Sequence, residues 1–311
     1  MKISICIPSY KRIHYLQRLL DSIVIQTYKD FEVVITDDSN DDSVQQLLKN
    51  YEGTIPINYY QNRVALGTPE NWNEGIRRAN GEWIKIMHDD DWFAQENALE
   101  IFHEAIVQNP GQSFIFSAYN NVVENKDLLQ PVFLTRTGQF LLKKNPLNIF
   151  KNQFVGNPSC TIIKKDIAVF YDNRFKWVVD FEYYIRCLQK LKDFYYINSA
   201  LINVGINDTQ VTQFSFRKRE VEIPENHLLV EKMGASILRN IFVYDYYWRL
   251  YRNLGIRSIQ EINDFYKKPL HPVLRSMIRF QKFIPLPALK VGVVSKVLMV
   301  ANYFASLFRK V

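Results

Sequence analysis

The sequence contains few cysteines and no long uninterrupted apolar run. Its three cysteines, Cys6, Cys160 and Cys187, are odd in number, lie far apart and offer no zinc-type pair spacing. This usage is typical of a reducing compartment and argues against a secreted protein built on disulfides. No uncharged apolar stretch approaches the roughly 20 residues that cross a bilayer; the longest is 297–308. We therefore expect no membrane-spanning helix.

Charge is present in quantity but is distributed unevenly along the chain. Residues 1–213 contain 22 Lys and Arg against 25 Asp and Glu, whereas residues 214–311 contain 17 against 7. The last third therefore carries a net charge of +10 and suits a polyanionic surface, either nucleic acid or the anionic face of a membrane. Its apolar tail, 289–308, is interrupted by Lys290, Lys296 and Asn302, which do not share one helical face, so we predict no sharply amphipathic helix there.

Strand and helix patterns alternate up to about residue 118. The predicted strands are 3–7, 31–36, 57–60, 83–87 and 114–117, and the predicted helices are 12–27, 41–50, 70–79 and 96–108. This alternation predicts an α/β fold with a mostly parallel central sheet and helices on both faces. The pattern is less regular from 120 to 213, where strand-like pieces at 159–163 and 194–197 flank a helix at about 179–190. After 214 the chain is predicted to be helical.

Polar motifs follow three of the predicted strands. They are Pro8-Ser9-Tyr10, Asp37-Asp38-Ser39 and Asp89-Asp90-Asp91. Because the carboxyl ends of parallel strands meet at one edge of the sheet, we expect these motifs to converge. Three consecutive carboxylates beside a core favour a bound Mg²⁺ or Mn²⁺, which take oxygen ligands. The alternative is a solvated acidic loop that caps the helix near Glu96.

Six short motifs occur in a fixed order over the first two thirds of the chain. They are Ile7-Pro8-Ser9-Tyr10, 22–28 (SIVIQTY), 31–39 (FEVVITDDS), Asn73-Glu74-Gly75 with 79–84 (ANGEWI), Asp89-Asp90-Asp91, and 180–186 (DFEYYIR). In this order they resemble the family 2 glycosyltransferases, which have the GT-A fold. The resemblance implies a catalytic domain over 1–213, with a nucleotide-sugar half (1–118) and an acceptor half (119–213). Residues 214–311 form a basic, aromatic-rich helical region outside it.

The resemblance implies a donor site at Pro8-Ser9-Tyr10 and Asp37-Asp38-Ser39. Asp38 would accept a hydrogen bond from the uracil N3–H, a role that suits a carboxylate because it only accepts. Pro8, Ser9 and Tyr10 would line the nucleotide slot, and Arg63 and Asn73 are further donor-site candidates. The alternatives are helix capping for Asp38 and a turn or core role for Pro8 and Tyr10; Asp37 is expected to be structural.

The resemblance also implies a metal site. Asp90 would hold Mn²⁺ or Mg²⁺ against the donor phosphates, with Asp91 as a second ligand and Asp89 on the donor sugar or the metal. Two positions depart from the family pattern. His88 stands at the first acidic position, and Asn207, in the loop 203–212, stands where many relatives have a histidine. The exact ligand set therefore stays open.

Asp180 is the predicted catalytic base. Inverting sugar transfer needs a carboxylate to take the proton of the acceptor hydroxyl, and this group must come from a segment separate from the metal site. The alternative is that Asp180 caps the helix that follows it. Glu182 and Trp177 are predicted on the acceptor side, where Arg136 and the turn 156–159 are further candidates.

These inferences combine into an inverting, metal-dependent glycosyltransferase. It would move a sugar from a UDP-sugar to a saccharide or lipid-linked oligosaccharide acceptor in surface-polysaccharide synthesis. We expect a cytoplasmic protein, peripheral on the inner face of the cytoplasmic membrane through its basic region, and not a nucleic-acid binder. A helix packed on the main domain or in a homodimer is the alternative role for that region. Nucleotidyl transfer lacks support because 8–12 (PSYKR) contains no glycine, and the acidic set 38, 90 and 180 argues against a non-catalytic scaffold.

Overall fold

The computed structural model describes residues 2–123, 128–207 and 216–308. The chain divides into two compact units. The first consists of Met1–Pro146 and Phe154–Asp208, and the second of Leu147–Gln153 and Thr209–Val311. The domain boundary predicted at 213 lies outside the described residues.

The N-terminal half of the first unit alternates strands and helices, as predicted. The strands are Ile3–Ser9 (β1), Phe31–Asp37 (β2), Ile57–Gln61 (β3) and Trp83–Ile86 (β4), and the helices are Ile13–Val24 (α1), Ser43–Leu48 (α2) and Glu70–Arg78 (α3). These strands are parallel in the order β3-β2-β1-β4. Because Ser9 pairs with Asp37 at the end of β1 and β2, the motifs that follow these strands lie at the same edge.

The second half of this unit adds a mixed extension to the sheet. It comprises the strands Trp92–Phe93 (β5), Phe114–Val123 (β6), Leu128–Val132 (β7), Thr161–Lys164 (β8) and Tyr195–Ile206 (β9), and the helices Ala98–Gln108 (α4), Arg136–Lys144 (α5) and Val179–Leu191 (α6). Strand β8 runs antiparallel to β4 and β6, whereas β9 runs parallel to β6 and antiparallel to β5.

Strand β9 is much longer than the predicted strand 194–197. Its pairing with β6 shifts register, since Ser117 pairs with Ile197 but Ala118 pairs with Ala200. The bulge accommodates two polar residues, Asn198 and Ser199, which interrupt the apolar pattern without ending the strand. The strand therefore continues to Ile206 and reaches the edge that carries the acidic motif.

Two glycines explain part of the fourth sequence motif by close packing. A Cβ at Gly75 in α3 would lie 3.2 Å from the Cβ of Cys6 in β1, so the glycine lets helix and sheet approach closely. A Cβ at Gly81 would lie 2.7 Å from the Lys2 carbonyl oxygen and the Ser4 amide nitrogen. The contact at Gly81 is shorter than a Cβ tolerates and the one at Gly75 would require Cys6 to shift by a few tenths of an ångström, so this motif is a packing feature of the fold.

The second unit is helical, which confirms the prediction of a helical C-terminal region. Its helices are Arg219–Met233 (α7), Ile241–Asn253 (α8), Ile259–Asn263 (α9), Pro272–Lys282 (α10), Leu286–Lys290 (α11) and Gly292–Leu307 (α12). The aromatic run in α8 supplies the core of this unit, since Tyr244, Tyr247, Trp248 and Tyr251 are fully buried. Within the described ranges, no helix is both long and apolar enough to cross a bilayer.

Candidate active site

The ends of β1, β2 and β4 meet at one edge of the sheet. The Asp38 amide donates to the Ser9 carbonyl (3.0 Å) and the Lys11 amide donates to Ser39 Oγ (2.9 Å). On the other side of β1, the Met87 amide donates to the Cys6 carbonyl (2.9 Å). The three polar motifs are therefore neighbours in space.

Asp38 is buried and organises a turn. Its Oδ1 accepts from Asn62 Nδ2 (2.8 Å) and from the Leu66 amide (2.9 Å), and its Oδ2 accepts from the Gly67 amide (2.8 Å). Arg63 lies in this turn, 62–67, and is exposed. Asp37 has the structural surroundings expected of it, because it accepts from the Ser39 amide and from the Tyr59 hydroxyl, both at 2.9 Å.

Two arginines of the α1 segment bind the acidic motif. Arg12 forms a bidentate ion pair with Asp89 and a second one with Asp90 Oδ2 (3.0 Å). Arg18 donates to the Asp90 carbonyl (2.8 Å) and its guanidinium lies over the Trp92 ring. Burial raises the pKa of Asp89 to about 7, an effect that the charge of Arg12 opposes.

Asp91 is held from two other segments. Asn157 Nδ2 donates to Oδ2 (2.7 Å) and the Gly205 amide of β9 donates to Oδ1 (3.1 Å). Burial, together with the charge of Asp90, raises the pKa of Asp91 to about 8. The turn 156–159, predicted as an acceptor-side border, thus supplies a hydrogen bond to the acidic motif.

A buried lysine lies under this motif. Lys85 in β4 is fully buried, donates to the Ser159 carbonyl and has its ammonium 4.9 Å from the centre of the Phe102 ring. Burial lowers the pKa of Lys85 to about 7, although the charge of Asp91 favours the protonated form. Ser159 also accepts from the His88 amide through Oγ (2.9 Å), which ties the acidic motif to the lysine.

The side chains of His88, Asp90 and Asp91 fit a divalent cation. One ligand atom from each lies within 4.8 Å of the others. His88 Nε2 is buried and has no hydrogen-bond partner among the described residues. Burial lowers the pKa of His88 to about 4, so the imidazole is neutral near pH 7 and has a lone pair to offer. Asp90 Oδ2 also lies 3.4 Å from Asn207 Nδ2, so both positions that depart from the family pattern are at this site.

Asp180 lies in the first turn of α6. Val178 occupies the N-cap and makes no side-chain cap, so the capping alternative for Asp180 is not realised. Asp180 Oδ1 is buried and finds no hydrogen-bond partner in the described part of the chain. Burial raises the pKa of Asp180 to about 7. Desolvation raises the pKa of the buried Cys160 thiol, and the charges of Asp91 and Asp180 raise it further.

The other predicted site residues differ in their solvent exposure. Glu182 is buried in a bidentate pair with Arg186 (2.8 and 2.9 Å). Asn73 is buried and exchanges hydrogen bonds with the backbone of Tyr171 (2.8 and 2.9 Å). Trp177 is half-buried.

The motif Pro8-Ser9-Tyr10 contains both buried and exposed side-chain atoms. Pro8 and Ser9 end β1, and Ser9 Oγ is buried without a partner among residues that the structure describes. The Tyr10 side chain is 53% exposed, so its ring is accessible to a ligand.

Sequence analysis missed several residues that build the site. Arg12 and Arg18 bind the acidic motif, Lys85 lies beneath it, and Gly205 donates to it. The role of Arg12 could have been predicted from the sequence, because this residue follows the first strand at the same sheet edge as the acidic motif. A lysine within an apolar strand also indicates a special role, so Lys85 could have been noticed. No feature of the sequence marks Gly205 as a hydrogen-bond donor to the acidic motif.

The Arg12→Met variant should be less stable than the wild type. Removing one partner of a largely buried ion pair leaves the carboxylate of Asp89 uncompensated, and we expect a loss of about 1–3 kcal/mol in the free energy of unfolding. The control is Arg77→Met, which removes an exposed arginine from its pairs with Glu70 and Glu74 and should cost less than about 1 kcal/mol. Denaturant unfolding measures both, and equal losses would contradict the assignment.

Comparisons with known proteins show which proteins the chain resembles. The chain matches the family model described as Glycosyl transferase family 2 over residues 4–170. It is 33% identical over 114 residues to an uncharacterized glycosyltransferase of Haemophilus influenzae, covering 37% of each chain. It is 27% identical over 178 residues to the GalNAc(5)-diNAcBac-PP-undecaprenol beta-1,3-glucosyltransferase of Campylobacter jejuni, covering 50% of this chain and 57% of that protein.

A solved structure has the same fold. S. aureus TarS 1–349 in complex with UDP-GlcNAc superimposes with a TM-score of 0.61 at 15% identity, covering 97% of this chain and 89% of that chain. At this identity the likeness shows the fold alone, and it confirms the predicted GT-A class. The matched segments span 37% and 57% of the length of the two relatives named above.

Proposed function

Because the chain belongs to glycosyl transferase family 2, we propose that it moves a sugar from a UDP-sugar to a saccharide acceptor with inversion at the anomeric carbon. The observation that carries this proposal is a pair of carboxylate groups with different surroundings, one at the sheet edge and one in the first turn of α6. The acidic motif is bound by arginines and amides, whereas the Asp180 carboxylate has a buried oxygen without a partner among the described residues.

The cation site consists of Asp90, Asp91 and His88. Their carboxylate oxygens and neutral imidazole nitrogen suit Mn²⁺ or Mg²⁺, with Mn²⁺ the better match for the nitrogen ligand. When bound there, the cation would neutralise charge on the departing nucleoside diphosphate. Both carboxylate oxygens of the buried Asp89 accept from Arg12, whereas Asp90 uses only Oδ2 for this arginine, so Asp89 acts on the donor side through Arg12 and is not counted among the ligands of the ion.

Asp180 is the catalytic base. In the transfer step its carboxylate takes the proton of the acceptor hydroxyl, while that oxygen forms the bond to the anomeric carbon and the bond to UDP breaks. The buried, unpartnered Oδ1 and the pKa of about 7 support this role, because such a carboxylate accepts a proton readily near neutral pH.

Asp38 recognises the base of the donor while holding its turn. A carboxylate has about four lone-pair sites. The three hydrogen bonds from 62–67 leave one of them for the uracil N3–H. The same turn brings Arg63 toward the donor, and the exposed ring of Tyr10 packs on the base. Pro8 and Ser9 form the wall of this slot, and Asn73 supports it through the Tyr171 backbone.

The acceptor is a lipid-linked or growing surface saccharide, and the protein works on the cytoplasmic face of the membrane. The Campylobacter jejuni relative, whose name places it on an undecaprenol-linked substrate, supports this acceptor class. Trp177, half-buried and near Asp180 in sequence, lies on the acceptor side, and Glu182 contributes to it only through its buried pair with Arg186. The basic second unit supplies the peripheral membrane contact, because its net charge favours an anionic surface.

Thermal unfolding with UDP and Mn²⁺ tests this function. At about a 100-fold excess over Kd the ligand pair should stabilise the wild type by about 2.7 kcal/mol, and UDP without a divalent cation should do much less. Asp90→Ala should lose the Mn²⁺-dependent part. Asp166→Ala, which removes an exposed carboxylate of the same unit, should keep it. A wild type that UDP and Mn²⁺ leave unchanged would refute the proposed donor site.

A further inference from the structure

Helix α12 is packed with its polar face inward. The residues it buries are Ser295, Met299, Asn302 and Ser306. At 100° per residue these four positions cover a narrow arc of about 60°. Three of the four are polar, which is the reverse of the usual arrangement for a helix at a protein surface. Sequence analysis missed this face because it considered the lysines of the tail and not the serines.

Hydrogen bonds fix the helix in this orientation. Trp248 Nε1 donates to Ser295 Oγ (3.0 Å), and Arg252 Nη1 donates to the same oxygen (3.2 Å). Two helical turns further on, the Tyr244 hydroxyl donates to Asn302 Oδ1 (2.6 Å). All of these donors come from α8, the buried core helix of the same unit. Rotation of α12 would leave buried donors without acceptors, so the orientation is well determined.

The outward face of α12 is apolar along its whole length. The side chains of Val293, Val297 and Phe304 are 77%, 63% and 52% exposed. Val294, Ala301, Ala305, Leu307 and Phe308 are exposed as well. These eight positions fall within about 160° of the helix circumference, centred opposite the buried arc. A continuous apolar face of this kind marks a binding surface.

The sequence around this face is basic. No Asp or Glu follows Asp264, whereas nine Lys and Arg occur between 265 and 311. Arg279, Phe280, Lys282 and Lys290 are exposed on the two preceding helices, α10 and α11, and Phe283 is exposed directly after α10. Exposed aromatic and basic side chains in alternation are typical of segments that lie in the interface of an anionic bilayer.

We propose that the outward face of α12 inserts into the surface of an anionic phospholipid bilayer, with the helix parallel to the membrane plane. This inference deepens the membrane contact of the proposed function and rests on it. The helix has 16 residues and a length of about 24 Å, which suits an in-plane position. A second copy is the weaker candidate, because a two-fold contact would bring together two copies of a segment that has no Asp or Glu after Asp264.

Vesicle co-sedimentation of the full chain tests this inference. The wild type should bind vesicles of phosphatidylcholine with phosphatidylglycerol, bind phosphatidylcholine alone at least about tenfold more weakly, and lose affinity as salt rises. Val297→Glu/Phe304→Glu should bind the mixed vesicles at least about 100-fold more weakly, because two inserted apolar side chains are replaced by charges. Val107→Glu/Phe140→Glu, which alters two exposed apolar residues of the first unit, should bind as the wild type does.

Two further measurements separate the explanations. The α12 variant should unfold at the wild-type temperature, because its altered side chains point to solvent; a clearly lower temperature would mean that this face is covered within the protein and would overturn the inference. Stabilisation by UDP and Mn²⁺ should be unaffected in this variant. If the wild type binds vesicles but is not stabilised by UDP and Mn²⁺, the donor site is refuted and the α12 inference still holds. The α12 inference would be overturned if the wild type dimerised with rising concentration, did not bind vesicles, and lost this dimerisation in Val297→Glu/Phe304→Glu.

Discussion

Asp180→Asn should lower kcat for sugar transfer by about 10²- to 10⁴-fold, which is the usual contribution of a general base. The amide has nearly the same shape as the carboxylate but cannot take the proton of the acceptor hydroxyl. Stabilisation by UDP and Mn²⁺ should be unchanged, because the acidic motif that binds the donor is intact. Steady-state transfer with a nucleotide-sugar panel, combined with thermal unfolding, measures both effects. Near-normal turnover would show that another group is the base.

The pH dependence of wild-type turnover is an independent test of Asp180 as the catalytic base. Burial raises the pKa of Asp180 to about 7, so the base is ionised above this pH and protonated below it. Turnover should therefore fall by about tenfold for each pH unit below about 7. The residual activity of Asp180→Asn should lack this acid limb. If the limb persists in the variant, it belongs to a different group, such as Asp89 or Asp91.

Gly205→Ala should damage the metal site without touching a ligand. A Cβ at this position would overlap the carbonyl oxygen of Asp90, while the Gly205 amide donates to Asp91. Because both contacts are with backbone or buried atoms, either β9 or the acidic motif must shift. We expect a loss of about 1–3 kcal/mol in the free energy of unfolding, as for overpacked cores, and a marked loss of Mn²⁺-dependent stabilisation by UDP.

Gly111→Ala is the matched control for this variant. A Cβ at Gly111 meets no atom within 4 Å, so the alanine should leave stability, UDP binding and turnover close to wild type. Thermal unfolding with and without UDP and Mn²⁺ compares the two glycine variants directly. Wild-type behaviour of Gly205→Ala would mean that the acidic motif can move freely, which would contradict its fixed position under β9.

The convergence of the polar motifs was predictable because it follows from topology. In a parallel sheet, whatever follows each strand lies at the same edge, so Ser9, Asp38 and Asp90 come together without knowledge of any side-chain contact. The order of the six motifs predicts the family, and the family in turn predicts the GT-A fold. The requirement that the base come from a separate segment predicts Asp180 for this role.

The rest of the site depends on contacts between segments that no periodicity records. Strand β9 reaches the acidic motif only because a bulge absorbs Asn198 and Ser199, and the amide of Gly205 then meets Asp91. The arginines that bind the motif come from the start and middle of α1, where the sequence shows only an amphipathic helix. The inverted packing of α12 arises because serine and asparagine satisfy the buried donors of α8.

The buried state of all three cysteines has a practical consequence. Cys6, Cys160 and Cys187 are at most 1% exposed, and burial raises the pKa of each thiol. A thiol that is neither accessible nor ionised reacts slowly with maleimides. A single cysteine introduced at Val293 or Ala301 would therefore take up a fluorophore or spin label selectively in the otherwise unaltered chain. The immersion depth of the labelled helix could then be read spectroscopically, position by position.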